Sequence, residues 1–239
     1  MLLLQLVLSK DHPKNSFNYQ ILILKDLLKK AFKVELSYTM QIVRVKISNW
    51  IKRENIKNLL DFGCGLGQDG VYFAKTLDIK VNCADIVLSN IRLVSRYSKI
   101  WGIKTNGIYI NDDPKEFQFP ESYDAIFSNG VLHHTPKAKE IIVNLKRFLK
   151  PNGLLMCMLY TKKSFEKTQS KNLQEFAILS ESIAPIINPY SDFYDIKKTK
   201  KIFEGFELLE VFQTYEDRYG WYIFRKKIAH TSARASQDY

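Results

Sequence analysis

Leu59-Leu60-Asp61-Phe62-Gly63-Cys64-Gly65-Leu66-Gly67 is the stretch on which the fold of this chain turns. An apolar run ends in an acid, glycines follow at every second position, and residues 69–77 then show helical spacing. A strand that breaks into a glycine turn and reopens as a helix is the first unit of a nucleotide-binding α/β domain. Glycine accepts positive φ and lets backbone approach a ligand with no Cβ in the way. Small residues at such turns also serve helix packing alone, so the turn needs support, and two acids supply it. Asp61 stands directly before the turn, where it would repel a phosphate and attract a ligand carrying a cationic sulfonium and an α-ammonium. Asp85 lies 24 residues later, at the tip of the next apolar run, where a carboxylate can accept from both hydroxyls of a ribose. A nicotinamide dinucleotide would want the same acid, so Asp85 alone does not choose between them.

Outward from the turn, short apolar runs alternate with helical stretches, the pattern of βαβ units and a parallel sheet. Strands are expected over 58–61, 79–84, 107–110, 123–128 and 154–160. Helices are expected over 69–77, over 89–101 with Ser89 as N-cap, and over 137–149, the last stopped by Pro151 and Gly153. After Tyr160 comes a polar insert, 161–200, interrupted by Pro185 and Pro189 and ending in a helix near 196–203. Two strands follow, 206–213 and 219–225, joined at Glu216-Asp217. Before the turn, Ile21, Leu24, Leu27, Leu28 and Ala31, then Ile42, Val45, Ile47, Trp50 and Ile51, recur at helical spacing. They predict an N-terminal helical cap over 1–57, placed either to cover a substrate pocket or to buttress the sheet. The main domain is then 58–228, and 229–239 reads as a polar tail.

With 239 residues, 46% of them hydrophobic, the chain can bury one substantial core. The formal net charge is +11, with 11 Lys/Arg against 4 Asp/Glu in residues 1–57, 12 against 10 in 58–160, and 13 against 11 in 161–239. The excess therefore sits in the N-terminal part, where it suits nucleic acid, an acidic membrane surface, a phosphorylated metabolite or nothing beyond solvent. Cys64, Cys83 and Cys157 have no CxxC spacing and read as core thiols of a reducing compartment. Met1 to Leu8 is apolar but too short to span a bilayer and lacks the flanks of a signal peptide. The expected location is the cytoplasm.

Beyond the glycine turn, further motifs fall in order: Asn111-Asp112, Phe119-Pro120, Tyr123-Asp124-Ala125-Ile126-Phe127-Ser128, Asn129-Gly130-Val131-Leu132-His133-His134, and Leu145 to Gly153. With these the sequence resembles class I S-adenosylmethionine-dependent methyltransferases, in the small-molecule group marked by D-x-G-C-G-x-G. The terminal hairpin, unusual in a dinucleotide-binding domain, agrees with that resemblance. It implies a doubly wound, Rossmann-like α/β fold whose seven-stranded sheet runs 3-2-1-4-5-7-6 with the last strand antiparallel. It also implies S-adenosyl-L-methionine as cofactor. Gly63, Gly65 and Gly67, with Asp61 and Cys64 in the same motif, would line its methionine and ribose portions. Asp85 would bind the ribose, Ile86 would pack on the adenine, Asp112 would accept from the adenine amino group, and Ser128-Asn129 would hold the methionine end.

Methyl transfer from a sulfonium is an in-line displacement, so the protein must align the nucleophile, exclude water and remove a proton where the acceptor is a hydroxyl. His133 and His134, just past the fourth strand, are candidate bases, with packing or capping as the alternative; His134 is preferred. Tyr160 is a candidate at the pocket mouth, or an aromatic wall. Tyr19, Tyr38, Trp50, Tyr190, Phe193 and Tyr194 are either cavity lining or core. The histidines form no metal-binding pattern, and no metal is expected. Three functions follow: methylation of oxygen or nitrogen on a small polar metabolite such as a sugar or biosynthetic intermediate, RNA or tRNA methylation using the basic N-terminal helices, and non-catalytic binding of S-adenosylmethionine. The first is preferred, with a small-molecule partner, and nothing in the sequence bears on oligomeric state.

Overall fold

A computed structural model describes residues 38–164 and 191–228. The elements in chain order are α1 (Tyr38–Arg53), β1 (Asn58–Phe62), α2 (Gln68–Leu77), β2 (Lys80–Asp85), α3 (Leu88–Trp101), β3 (Thr105–Tyr109), β4 (Tyr123–Ser128), α4 (Ala138–Arg147), β5 (Leu149–Tyr160), α5 (Ile196–Ile202), β6 (Phe206–Thr214) and β7 (Tyr219–Lys226). Single 3₁₀ turns at Pro114–Glu116 and Leu132–His134 flank the two sides of β4. The seven strands form one sheet in the order β3-β2-β1-β4-β5-β7-β6. Strands β1 to β5 are parallel to one another, and β7 inserts antiparallel between β5 and β6. The expected order and antiparallel last strand are both present.

Strand alternation divides the core in two. Leu59, Val81, Cys83, Phe127, Met156 and Trp221 point to one face, where α1 and α2 cover them with Val43, Ile47, Trp50, Ile51 and Phe73. Leu60, Ala84, Ile126, Leu155, Cys157 and Tyr222 point to the other, under Ile141, Ile142 and Leu145 of α4 and Phe203 after α5. With both faces covered, β1 is buried along its whole length. The parallel strands consequently all end at one edge of the sheet, where the site is built.

Several local expectations change. Ser89 does not cap α3; Val87 occupies that position, and its N–H bonds the Asp85 carboxylate at 2.8 Å. Helix α4 ends at Arg147, before Pro151 and Gly153, which lie inside β5. There the pairing with β4 jumps from Tyr123↔Leu149 to Ala125↔Leu154, and the extra residues form a bulge with Asn152 at φ +61°. In α1 the buried stripe is Val43, Ile47, Trp50 and Ile51, while Ile42 and Val45 face outward. Arg44 and Ser48 are buried with that stripe, so it was the neighbouring register of the same helix that turned inward.

Helix α1 packs on the face of the sheet that α2 also covers, and Trp50 donates to Glu210 of β6 at 2.6 Å. It buttresses the sheet and contributes nothing to the cleft lining. The rest of the expected cap (1–37), the core of the insert (165–190, with Pro185, Pro189 and Tyr190), the tail, Tyr19 and the Tyr38 side chain lie outside the described residues. Among the described residues no helix is long and apolar enough to cross a membrane.

Candidate active site

The turn between β1 and α2 places Gly63, Gly65 and Gly67 at φ +71°, +52° and +76°. The three are left-handed for different surroundings. A Cβ on Gly63 would sit 2.2 Å from Val131, and one on Gly67 2.5 Å from Val94, whereas one on Gly65 would meet nothing within 4 Å. Gly63 and Gly67 therefore let neighbouring side chains close in, while Gly65 faces open space. The Gly63 and Cys64 N–H groups both bond the Ala84 carbonyl, which ties the turn to the end of β2.

Beside it opens a cleft of about 610 Å³, lined by Phe62, Gly63, Asp85, Ile86, Val87 and Asn90 on one side. Ile110, Asn111, Asp112 and Phe117 close the far end, and Gly130, Val131, His134, Thr135 and Ile141 form the opposite wall. Asp85 is preassembled, accepting from Gly65 N–H (2.8 Å), Val87 N–H (2.8 Å) and the Asn90 amide (3.3 Å). A carboxylate has about four lone-pair directions, so one remains for a ligand. Ile86 is 56% exposed on the rim, and Asp112 is exposed, with only its backbone carbonyl engaged, by Lys137.

Behind the turn lies a charged network. Asp61 is 2% exposed and does not line the cleft; its carboxylate accepts from Gly70 N–H at 3.0 Å inside the first turn of α2. Burial, and then the charge of Asp69, hold its carboxyl well above the usual range. Asp61 thus stands behind the turn, bonded to the start of α2 and outside the cleft lining. Asp69 accepts from Arg44 of α1 at 2.7 Å and from the Asn129 amide at 2.9 Å. The Asn129 amide nitrogen is therefore turned away, leaving its Oδ1 as the group available to a ligand. Ser128, expected to hold the methionine end, is 1% exposed with an unpartnered hydroxyl among the described residues; its side chain is sealed where β4 meets β5.

The two histidines separate. His134 lines the cleft. His133 is fully buried, and burial, then neighbouring His134, push its pKa down to about 3, while the Met158 backbone pulls weakly the other way. A base must reach the acceptor, so His133 is removed from that role. Its ring stacks on Tyr160 with centroids 3.7 Å apart. Tyr160 is half-buried and not among the residues lining the cleft; its ring meets that of His134 at 5.2 Å, and burial raises its hydroxyl pKa. Trp50 and Tyr194 are core, and Phe193 lies against Lys198.

Residues 60–157 match the family model described as a methyltransferase domain. The part of the chain that builds the glycine turn, the cleft and the sheet up to β5 thus matches a methyltransferase domain. It is 29% identical over 128 residues to a ubiquinone biosynthesis O-methyltransferase of Rickettsia felis, covering 54% of this chain and 50% of that protein. It is also 29% identical over 156 residues to malonyl-[acyl-carrier protein] O-methyltransferase 2 of Ilyobacter polytropus, covering 63% and 54%. The chain thus spans about half the length of these curated relatives. Among solved structures, an S-adenosylmethionine-dependent methyltransferase from Clostridium acetobutylicum superimposes with a TM-score of 0.64 at 10% identity, over 86% of this chain and 98% of that one. Magnesium protoporphyrin IX methyltransferase of Synechocystis, with bound SAH, gives 0.56 at 14% identity, over 80% and 84%. These two share the fold.

The residues of the methyltransferase domain fit its cofactor. Gly65 leaves room that any Cβ would fill, Asp85 offers a fixed acceptor, and Asp69, paired with Arg44, sets a carboxylate beneath the turn. The cleft brings together Gly63, Asp85, Ile86, Asp112 and His134 from the expected set, while Gly65 and Cys64 stand at its turn. Sequence reasoning missed Asn90, Asp69 and Arg44. Asp69 carried one signal, an acid in the first turn of a helix, where the helix dipole favours it. Arg44 carried none, because only packing shows which polar residue of α1 turns inward.

Proposed function

We propose that this protein transfers a methyl group from S-adenosylmethionine to an oxygen of a small polar metabolite. The observation that carries the reading is the cleft that joins the Gly63 turn and Asp85 to His134. The O-methyltransferase names of the matched relatives favour oxygen over nitrogen. When bound, the cofactor supplies an electrophilic methyl on a sulfonium. Asp85 holds the ribose hydroxyls, Ile86 covers the adenine, and Asp112 accepts from the adenine amino group. The Asp69 carboxylate beneath the turn favours the cationic methionine end, with Asn129 Oδ1 as its acceptor. At the other wall a ring nitrogen of His134 takes the proton of the acceptor hydroxyl as the bond to carbon forms. Of the basic residues of α1, Arg44 is buried against Asp69 and so is withdrawn from any nucleic acid.

Incubating the purified protein with S-adenosylmethionine and a panel of phenols, sugars and hydroxy acids, with total tRNA as a separate arm, tests this. S-adenosylhomocysteine is expected with a hydroxyl-bearing metabolite. His134→Gln should lower kcat on the order of 100-fold with S-adenosylhomocysteine affinity unchanged. Turnover on tRNA alone, or calorimetry that detects neither cofactor nor product binding, would overturn the proposal.

A further inference from the structure

The wall beyond His134 holds a cluster of rings that this mechanism leaves unused. Tyr160, the last residue of β5, has His133 stacked on it at 3.7 Å and 27°, and Tyr219 of β7 at 5.7 Å and 23°. His134 meets the same ring edge-on at 5.2 Å and 80°. Among the described residues His133 and Tyr219 make no ring contact with each other, which puts them on different sides of Tyr160. The backbone is fixed as well. The Tyr160 carbonyl accepts from Tyr194 N–H at 2.8 Å and the His133 carbonyl from Asp192 N–H at 2.9 Å. Tyr219 is steadied by Tyr215, which meets it edge-on at 5.1 Å from a turn whose Tyr215, Glu216 and Asp217 all have positive φ. Non-glycine residues rarely adopt that conformation, and three in succession persist only where the surroundings impose it.

This ring ends in a hydroxyl that no described residue bonds, and the ring itself meets His134, which lines the cleft. Burial keeps that hydroxyl protonated and so able to donate. His133 itself is sealed from any substrate, so what it offers is the face of its ring. We propose that His133 is a positioning residue: with Tyr219 it clamps Tyr160 so that the Tyr160 hydroxyl donates a hydrogen bond to the acceptor oxygen next to His134. The inference rests on the methyl-transfer reading above and adds a residue that acts through another.

Protein labelled with ¹³C on the tyrosine rings, with Tyr160→Phe used to assign the Tyr160 signals, tests the clamp by NMR without any substrate. The wild-type Tyr160 ring should flip slowly; His133→Ala should speed the flip, and His133→Phe, which keeps a stacking ring, should restore the slow one. With the acceptor found in the panel above, His133→Ala and Tyr160→Phe should each lower kcat on the order of 100-fold with cofactor affinity unchanged. The double variant should be no worse than Tyr160→Phe. Should His133→Ala not fold, Tyr219→Leu removes the other side of the clamp and is read in the same way. An unaltered flip rate in the clamp variants, or a double variant whose losses multiply, overturns the proposal. A wild type that binds cofactor and methylates nothing defeats the methyl-transfer reading and the hydroxyl's role with it, while the flip rates still judge the clamp.

Discussion

The two ends of the cleft are built on opposite plans. At the β1–β2 end, backbone N–H groups and short polar side chains converge on carboxylates, and Asp85 already has three donors before any ligand arrives. At the β4–β5–β7 end, rings pack on rings; a buried polar group, the Ser128 hydroxyl, lacks a hydrogen-bond partner among the described residues, and the buried His133 imidazole has the Met158 backbone beside it. Buried polar groups usually find partners, and leaving one without costs about 1–3 kcal/mol. The contrast assigns different tasks. The first end recognises a fixed, charged ligand through directed bonds. The second shapes space, and tolerates polar strain where packing sets an orientation.

The largest effect that can break this comparison lies in the glycine turn. Gly63→Ala adds a Cβ 2.2 Å from Val131 at φ +71°, so left-handed strain and overpacking combine. A loss of about 3–4 kcal/mol is expected, seen as a fall of roughly 6–16 °C in Tm. Gly65→Ala has the same sign of φ and open space around it. It should cost only about 1–2 kcal/mol yet weaken S-adenosylhomocysteine binding by calorimetry at least as much as Gly63→Ala does. Equal losses of stability with intact binding in Gly65→Ala would show that the turn serves helix packing alone.

Next in size is the ion pair that joins α1 to the turn. Arg44 and Asp69 have side chains 7% and 14% exposed, and Asp69 also holds Asn129. Arg44→Met leaves that carboxylate near Asp61 without its cation, at a cost of about 2–3 kcal/mol. Asp69→Asn in the same background should recover most of it in a denaturant titration, because the uncompensated charge is then gone. If the double variant is instead as unstable as the sum of the singles, the network is packing and not electrostatics, and the carboxylate plan of this end fails.

Much of the first end was legible in sequence because its chemistry is local. Asp61, the three glycines and Asp85 lie within two consecutive strands and the turn that follows each, and Tyr123–Ser128 is so short and apolar a run that its bounds as a strand are those expected. The second end is assembled from residues far apart in sequence, with Tyr160 paired across the strands to Tyr219 and stacked on His133, and no spacing rule announces such contacts. The adjacent pair His133-His134 shows the limit best. Both are histidines at the end of one strand, yet the 3₁₀ turn sends one ring into the core and the other into the cleft. In α1, two registers of apolar residues were available, and the choice fell to the one that also carries Arg44 to Asp69.

The smallest expected effect is also the most selective for the second end. In the folded protein His133 is neutral, its pKa pushed down to about 3 from the ordinary 6.5 that the unfolded chain retains. Between those values the unfolded state binds the additional proton, so stability rises with pH across that window. The contribution is whole above pH 6.5 and is lost as the pH falls toward 3. At about pH 5.5 the loss amounts to about 1.4 kcal/mol, or roughly 3–6 °C in Tm. His133→Phe removes the titrating group while keeping a ring, and His134 is present in both proteins, so calorimetric Tm values at about pH 8 and pH 5.5 isolate His133. The variant should match or exceed the wild type at the higher pH, since two buried nitrogens are replaced by carbon, and should fall less at the lower one. Parallel falls in both proteins would mean that this imidazole is solvated or paired in solution, and a ring open to water cannot serve as one jaw of a clamp.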